Sequence, residues 1–189
     1  NIFYKGKSIL SMSASDKKEY RREVQLIFQD PYSSLNPRIT VGAAIKEAMD
    51  VYDIHNASQR KEKTEELLAI VGLKPEHFTR YPHEFSGGQR QRITIARALA
   101  LQPRILVCDE SVSALDVSVQ AHILNLLSHI REEFQLSYLF ISHDLYVVKH
   151  ISDYIAVMQS GNLVEYNDAD QLFQHPTHPY TRHLLSAVS

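Results

Sequence analysis

Apolar and polar positions follow two periods along this chain, and the change of period marks its elements. At the start, "NIFY" and "SIL" are strand-like runs on either side of "KGK", which reads as a tight turn. A charged stretch, "SDKKEYRRE", leads into "VQLIF", a short apolar run suited to a buried strand. "QDPYSSLNPR" is dense in turn formers and reads as a loop. From "TVGAAIKEAMDVYDI" through "ASQRKEKTEELLAIVGL" to "KPEHFTRY" the period is helical, with Leu67, Leu68 and Val71 on one apolar face. Farther on, strand and helix patterns alternate: "RILVC", "VSVQAHILNLLSHIREEF", "SYLFI" and "LYVVKHI". That alternation predicts an α/β fold with a parallel sheet. "YIAVMQSGNLVEYN" predicts a hairpin around "SGN" that need not share the parallel order, and "DADQLFQHPTHPYTRHLLSAVS" predicts two short helices around a proline- and histidine-rich turn.

Composition narrows the class without naming a chemistry. A chain of 189 residues, 44% hydrophobic, can bury one core with room for a smaller subdomain. The formal charge of −2 gives no electrostatic case for a nucleic-acid partner. The single Cys108 rules out an internal disulfide or a cysteine-ligated cluster and fits a reducing compartment. No apolar run approaches the roughly 20 residues needed to cross a bilayer, and the N-terminal runs are too short for a signal peptide. These features predict a soluble, cytoplasmic chain whose membrane contact, if any, runs through a partner.

Three stretches carry candidate chemistry. In "FSGGQRQRITIARALALQ", Ser86 and Gln89 have the S-x-x-Q form of a capping box, so a helix begins there. Gly87 and Gly88 bare the first turn, where free N–H groups and the helix dipole favour a phosphate. An ordinary capped helix is the plainer alternative. "RILVCDE" places Asp109 and Glu110 at the carboxyl edge of a parallel sheet, where ligands bind in such folds. One acid could hold Mg²⁺ and the other orient a water, against a pair of solvated acids opening a loop. "SYLFISHD" ends in Ser142, His143 and Asp144, and the histidine could donate to a terminal phosphate or be structural.

In order and spacing these pieces resemble the nucleotide-binding domain of ABC ATPases. "FSGGQRQR" is similar to the family signature, "ILVCDE" to Walker B, "SALD" at Ser113 to Asp116 to the D-loop, and "ISHD" to the switch histidine segment. "LIFQDPYSSLNPRITV" resembles the Q-loop, with Gln29 as its glutamine. "DPYSSLNPR" and "HPTHPYTRHLLSAV" further resemble the subfamily of dipeptide and oligopeptide importers, whose relatives also move nickel and glutathione. The resemblance implies a P-loop NTPase-like fold with ATP and Mg²⁺ as cofactors. About 41–96 would form a helical, signature-bearing subdomain, 97–166 a RecA-like core, and 167–189 a C-terminal helical tail.

The resemblance also implies roles. Asp109 would coordinate the magnesium shell, joined by Gln29, and Glu110 would polarise the attacking water. His143 would contact the γ-phosphate, and Gln29 would sense it near the membrane subunit. Ser86, Gly87, Gly88 and Gln89 would bind the γ-phosphate of ATP held by the other subunit of a head-to-tail dimer, and Asp116 would cross that interface. Implied partners are permease subunits, an identical or paralogous second ATPase and, indirectly, a substrate-binding protein, at the cytoplasmic face of a bacterial-type membrane. Ser111 departs from the pattern, which usually has proline after the glutamate, and predicts a looser local backbone. His175, His178 and His183 fit no zinc spacing and predict a surface turn, and "SDKKEYRRE" predicts a solvated face.

One element of the family pattern is missing. None of Gly6, Gly42, Gly72, Gly87, Gly88 and Gly161 opens a complete G-x-x-x-x-G-K-[ST]. The "GKS" at Gly6 to Ser8 ends such a pattern, but Asn1 stands at its first glycine, strand formers fill its middle, and Lys7 lies only 22 residues before Gln29. "YKGKSIL" is therefore expected to be an antiparallel hairpin. The chain is then expected to be a C-terminal portion of the domain, N-terminally truncated, lacking Walker A, and unable to hydrolyse ATP alone. Competing readings are a non-catalytic ABC-like interaction module and an ABC ATPase of DNA repair or translation; intact acids, signature and histidine argue against the first, and the absence of long insertions against the second.

Overall fold

A computed structural model describes residues 1–186 of the chain, so residues 187–189 of the expected tail lie outside the described residues. The described chain forms two compact units, Asn1–Leu139 and a second from Phe140 onward.

The first unit opens with strands β1 (Phe3–Tyr4) and β2 (Lys7–Ser8), paired antiparallel with Phe3 opposite Ser8. Lys5 and Gly6 both have positive φ, 48° and 77°, as a two-residue hairpin whose turn matches the strand twist requires. The expected hairpin is thus observed, and Lys7 lies in a strand rather than at a helix start. Helix α1 (Ala14–Glu23) follows, capped by the Ser13 hydroxyl, which accepts from the Asp16 N–H. It buries no residue. Ion pairs tie it to the hairpin, with Lys5 Nζ 2.6 Å from Glu23 and Lys7 Nζ 2.7 Å from Asp16.

Strand β3 (Val24–Ile27) runs parallel to β4 (Ile105–Asp109), in register from Val24 opposite Ile105 to Ile27 opposite Cys108. With β5 (Ser137–Ile141) they form a sheet in the order β3-β4-β5. The parallel pairing bears out the α/β expectation. The long connection between β3 and β4 holds α2 (Val41–Val51), α3 (Ala57–Ile70) and α4 (Gly87–Leu99). Their facing stripes bury Ile45, Met49, Leu67, Leu68, Ile93 and Ile95 completely. Helix α3 stops at Gly72, whose φ of 74° suits glycine, and Arg92 Nη1 donates to the Val71 carbonyl at 2.7 Å. Helix α5 (Val117–Phe134) then buries Ile123, Leu124, Leu127 and Ile130, one face at helical spacing.

Gly42 in α2 is a packing requirement, because a Cβ there would overlap the Cγ and both Cδ atoms of the Phe78 ring. Those atoms sit near the base of the side chain and cannot swing clear. Gly42→Ala should therefore lose about 1–3 kcal/mol through overpacking, against a gain of up to about 1 kcal/mol in helix propensity. Urea unfolding of the variant should give a lower midpoint than wild type. A midpoint equal or higher would mean that the ring yields freely.

The second unit contains α6 (Leu145–Ile151), a hairpin of β6 (Tyr154–Gln159) and β7 (Asn162–Asp168), then α7 (Ala169–Gln174) and α8 (Pro179–Ser186). The hairpin turns at Ser160 and Gly161, both with positive φ. Its core joins Ile155 and Val157 of β6 to Ala169 and Leu172 of α7. Glu165 on β7 is 8% exposed and accepts from the Thr177 N–H at 2.8 Å, the Thr177 hydroxyl at 2.9 Å and the His178 N–H at 3.0 Å. One carboxylate thereby holds the "HPTHP" turn that precedes α8. Among the described residues no helix is long and apolar enough to cross a membrane.

Candidate functional site

The in-register pairing of β3 and β4 dictates what meets at their carboxyl ends. Ile27 faces Cys108, so two residues on, Gln29 and Glu110 leave the sheet side by side. Gln29 Nε2 donates to Glu110 Oε2 at 2.7 Å and lies 3.3 Å from the Ser113 hydroxyl. Eighty-one residues separate Gln29 from Glu110 in sequence, and the sheet removes that separation.

Glu110 has a φ of 46°, a left-handed conformation uncommon for a residue with a side chain. The Ser113 N–H and hydroxyl both donate to the Glu110 carbonyl, at 3.1 and 2.9 Å, closing the turn behind it. Ser111 and Val112 are each 2% exposed and anchor that turn. The looser backbone expected from Ser111 in place of proline is not what the structure has: the turn is hydrogen-bonded and its second residue buried. Below it, burial pushes the Cys108 thiol up to about 12, with the Ser111 hydroxyl acting in the opposite direction. That thiol is therefore inert as a nucleophile. Asp109, the last residue of β4, is exposed, and Asp116 is the exposed residue preceding α5.

The first turn of α4 carries the expected capping box. The Gln89 N–H donates to Ser86 Oγ at 3.4 Å, and the Ser86 N–H donates to Gln89 Oε1 at 3.1 Å. As first-turn groups, the Gly87 and Gly88 N–H groups have no intrahelical acceptor. The two glycines differ in surroundings. A Cβ on Gly87 would have ordinary contact with Leu115 at 3.7 Å, whereas one on Gly88 would overlap Val119 Cγ1 of α5. Gly88 thus serves the close approach of α4 and α5 as well as the bareness of the turn. His143 is exposed between β5 and α6, in the second unit.

The structure brings together Gln29 and Glu110, adds Ser113 to them, and sets the Ser86–Gln89 turn on a fully formed helix. Ser113 was legible only as the start of "SALD". Its hydroxyl is recognised as a site member by its position three residues after a left-handed strand-end acid. Among the described residues no group of three His, Cys, Asp or Glu side chains could hold a metal ion by itself.

Parallel strands ending in paired polar side chains, with a bare helix start on the connection between them, define an α/β ligand-binding domain of the strand-end type. The sequence pattern of the ABC transporter family matches residues 1–113, and the chain belongs to that family. It is 53% identical over 188 residues to the oligopeptide transport ATP-binding protein AppF of Bacillus subtilis, covering 99% of this chain and 57% of that protein. It is 50% identical over 188 residues to the glutathione import ATP-binding protein GsiA of Pectobacterium atrosepticum, covering 100% of this chain and 30% of that protein. The chain thus spans little more than half of the one relative and under a third of the other. Among solved structures it is similar to cbiO1 of Clostridium perfringens, described as part of the ABC transporter complex cbiONQ. The TM-score is 0.78 at 23% identity, over 92% of this chain and 67% of that one, which is a likeness of fold.

These findings correct one expectation. The chain was expected to be a C-terminal portion of the domain, N-terminally truncated and lacking Walker A. The family pattern matches from the first residue, opening hairpin included, and AppF and cbiO1 match over 99% and 92% of the chain. "GKS" forms a hairpin as readily as it ends a phosphate loop, so the string is no marker of a domain boundary.

Proposed function

We propose that the chain is the ATP-binding, ATP-hydrolysing part of a bacterial importer of dipeptides or oligopeptides. It would work at the cytoplasmic face of the membrane with permease subunits, a second ABC ATPase subunit and, indirectly, a substrate-binding protein. The observation that carries the ATPase reading is the 2.7 Å contact of Gln29 with Glu110 at two parallel strand ends, in a chain of the ABC transporter family. The peptide cargo is supported by the oligopeptide-transport relative at 53% identity. The glutathione-import relative belongs to the same chemical class, since glutathione is a tripeptide.

In this reading Glu110 orients and polarises the water that attacks the terminal phosphate, and Gln29 holds the glutamate carboxylate at its outer oxygen. Asp109, exposed at the strand end, would hold Mg²⁺ through its water shell, joined by Gln29. The metal, when bound, supplies charge neutralisation for phosphoryl transfer. His143 donates to the γ-phosphate. The residues present fit an anion at α4: the Ser86 box fixes the first turn, and the N–H groups of Gly87 and Gly88 have no Cβ in front of them. Ser86, Gly87, Gly88 and Gln89 would serve ATP on the second subunit, with Asp116 at that interface. Residues of about 41–96 would act as the helical subdomain, 97–166 as the RecA-like core and 167–189 as the tail.

The test is uptake of a labelled oligopeptide into proteoliposomes carrying the assembled transporter, with and without MgATP inside. ATP-dependent uptake that Asp109→Asn and Glu110→Gln abolish is expected. Uptake that is independent of ATP, or of both acids, would overturn the proposal.

A further inference from the structure

The strand register brings Gln29 to Glu110, and the segment after Gln29 leads directly away from that contact. That segment is a compact turn. The Tyr32 N–H donates to Asp30 Oδ1 at 2.8 Å, Ser33 Oγ donates to the Asp30 carbonyl at 3.1 Å, and Ser34 Oγ to the Pro31 carbonyl at 3.1 Å. The Tyr32 N–H holds the Asp30 carboxyl below its ordinary value, and the charge of Arg90 acts in the same direction. Leu35, 3% exposed, anchors the far end.

Two arginines of α4 grip this turn from outside. Arg97 Nη1 donates to the Ser34 carbonyl at 2.9 Å. The Arg90 guanidinium carbon lies 5.2 Å from the centre of the Tyr32 ring, within cation–π range. The two are seven residues apart, about two turns and about 10 Å along the axis, and so share one side of the helix. The same helix starts at the Ser86 box. Contacts from α4 thus reach residues 32 and 34, three and five positions after Gln29.

We propose that Arg90 and Arg97 are positioning residues: through Tyr32 and Ser34 they set the Gln29 carboxamide against Glu110 and couple the helix of the Ser86 turn to that contact. Arginine suits the task because its planar fork donates to a carbonyl in fixed geometry and stacks on a ring face. The coupling rests on these contacts, and its consequence for hydrolysis rests on the function proposed above.

The experiment follows the side-chain amide of Gln29 by NMR in the ¹⁵N-labelled 189-residue chain, assigned with Gln29→Ala. In Arg97→Ala and Tyr32→Ala the Gln29 amide pair is expected to move toward the position of a free glutamine. In Arg97→Lys, which keeps a donor, and Tyr32→Phe, which keeps the ring face, it should stay near wild type. Tyr32 is 58% exposed, so its replacement leaves the core intact even if Arg97→Ala fails to fold. In the assembled transporter Tyr32→Ala should lower kcat by about tenfold with little change in KM, and adding Tyr32→Ala to Gln29→Ala should produce no loss beyond that of Gln29→Ala alone. An unmoved Gln29 amide in Tyr32→Ala, or losses that add to those of Gln29→Ala, would overturn the proposal. If the transporter proves not to hydrolyse ATP, the function reading fails, and the amide shifts alone decide the coupling.

Discussion

Replacing Glu110 by glutamine is expected to cut ATP hydrolysis by about 10²–10⁴-fold, the range for loss of a positioned acid–base group, while MgATP binding persists. The substitution is close to isosteric. A glutamine has the same reach and still offers Oε1 to the Gln29 Nε2 that now donates to the glutamate at 2.7 Å. The turn behind it is made by the Glu110 carbonyl and Ser113, which the side-chain change leaves alone. What disappears is the negative charge able to polarise a water at that position. Phosphate release and nucleotide titration on the same preparation of assembled transporter separate the two effects. If the variant hydrolyses ATP as wild type does, Glu110 is not the catalytic carboxylate.

The second large effect lies in the other unit. Burial alone would raise the pKa of Glu165, but the N–H groups of Thr177 and His178 and the Thr177 hydroxyl outweigh it and hold the carboxyl at about 2. A glutamine in its place would turn an NH₂ toward one of these donors. Glu165→Gln should therefore cost about 2–4 kcal/mol, the scale of losing charge-assisted bonds to a buried group. Faster amide exchange at Thr177 and His178 should report it. The sign with pH follows from the depressed value. Glu165 stabilises the native state fully above its ordinary value of 4.5, and that stabilisation is lost as pH falls through the folded value of about 2. Acid titration between those limits should loosen the "HPTHP" turn in wild type and have less effect in the variant. Equal exchange rates in the two proteins would contradict the clamp.

How much of this was legible in the sequence depends on whether the cause was local. The Ser86–Gln89 cap, the hairpin at Lys5-Gly6 and the strand ending at Asp109 follow from residues within a few positions of one another, and each is where the pattern put it. Helix α1 was invisible as a helix, because it buries nothing and so shows no apolar period. Its stability comes from a cap and from ion pairs to a hairpin that precedes it. Candidate site residues were legible by type, but their meeting was not: the register of β3 on β4 brings Gln29 to Glu110. The grip of Arg90 and Arg97 on residues 32 and 34 was likewise hidden, since i, i+7 arginines on a helix look like a solvated face until a neighbour is known. Gly88 carried two constraints at once, and only the structure separates the contact with Val119 from the bare helix start.

The left-handed backbone at Glu110 bears on how this position can change over generations. Glycine and aspartate are better suited than glutamate to that conformation, and both are a single base away from a glutamate codon. Each would relax the turn, and each would fall short of the Gln29 carboxamide. These two mutational steps would therefore ease the backbone while removing the carboxylate that meets Gln29. Backbone stability gives no protection to the glutamate, so under the proposed function it is selection for turnover that would keep it in place.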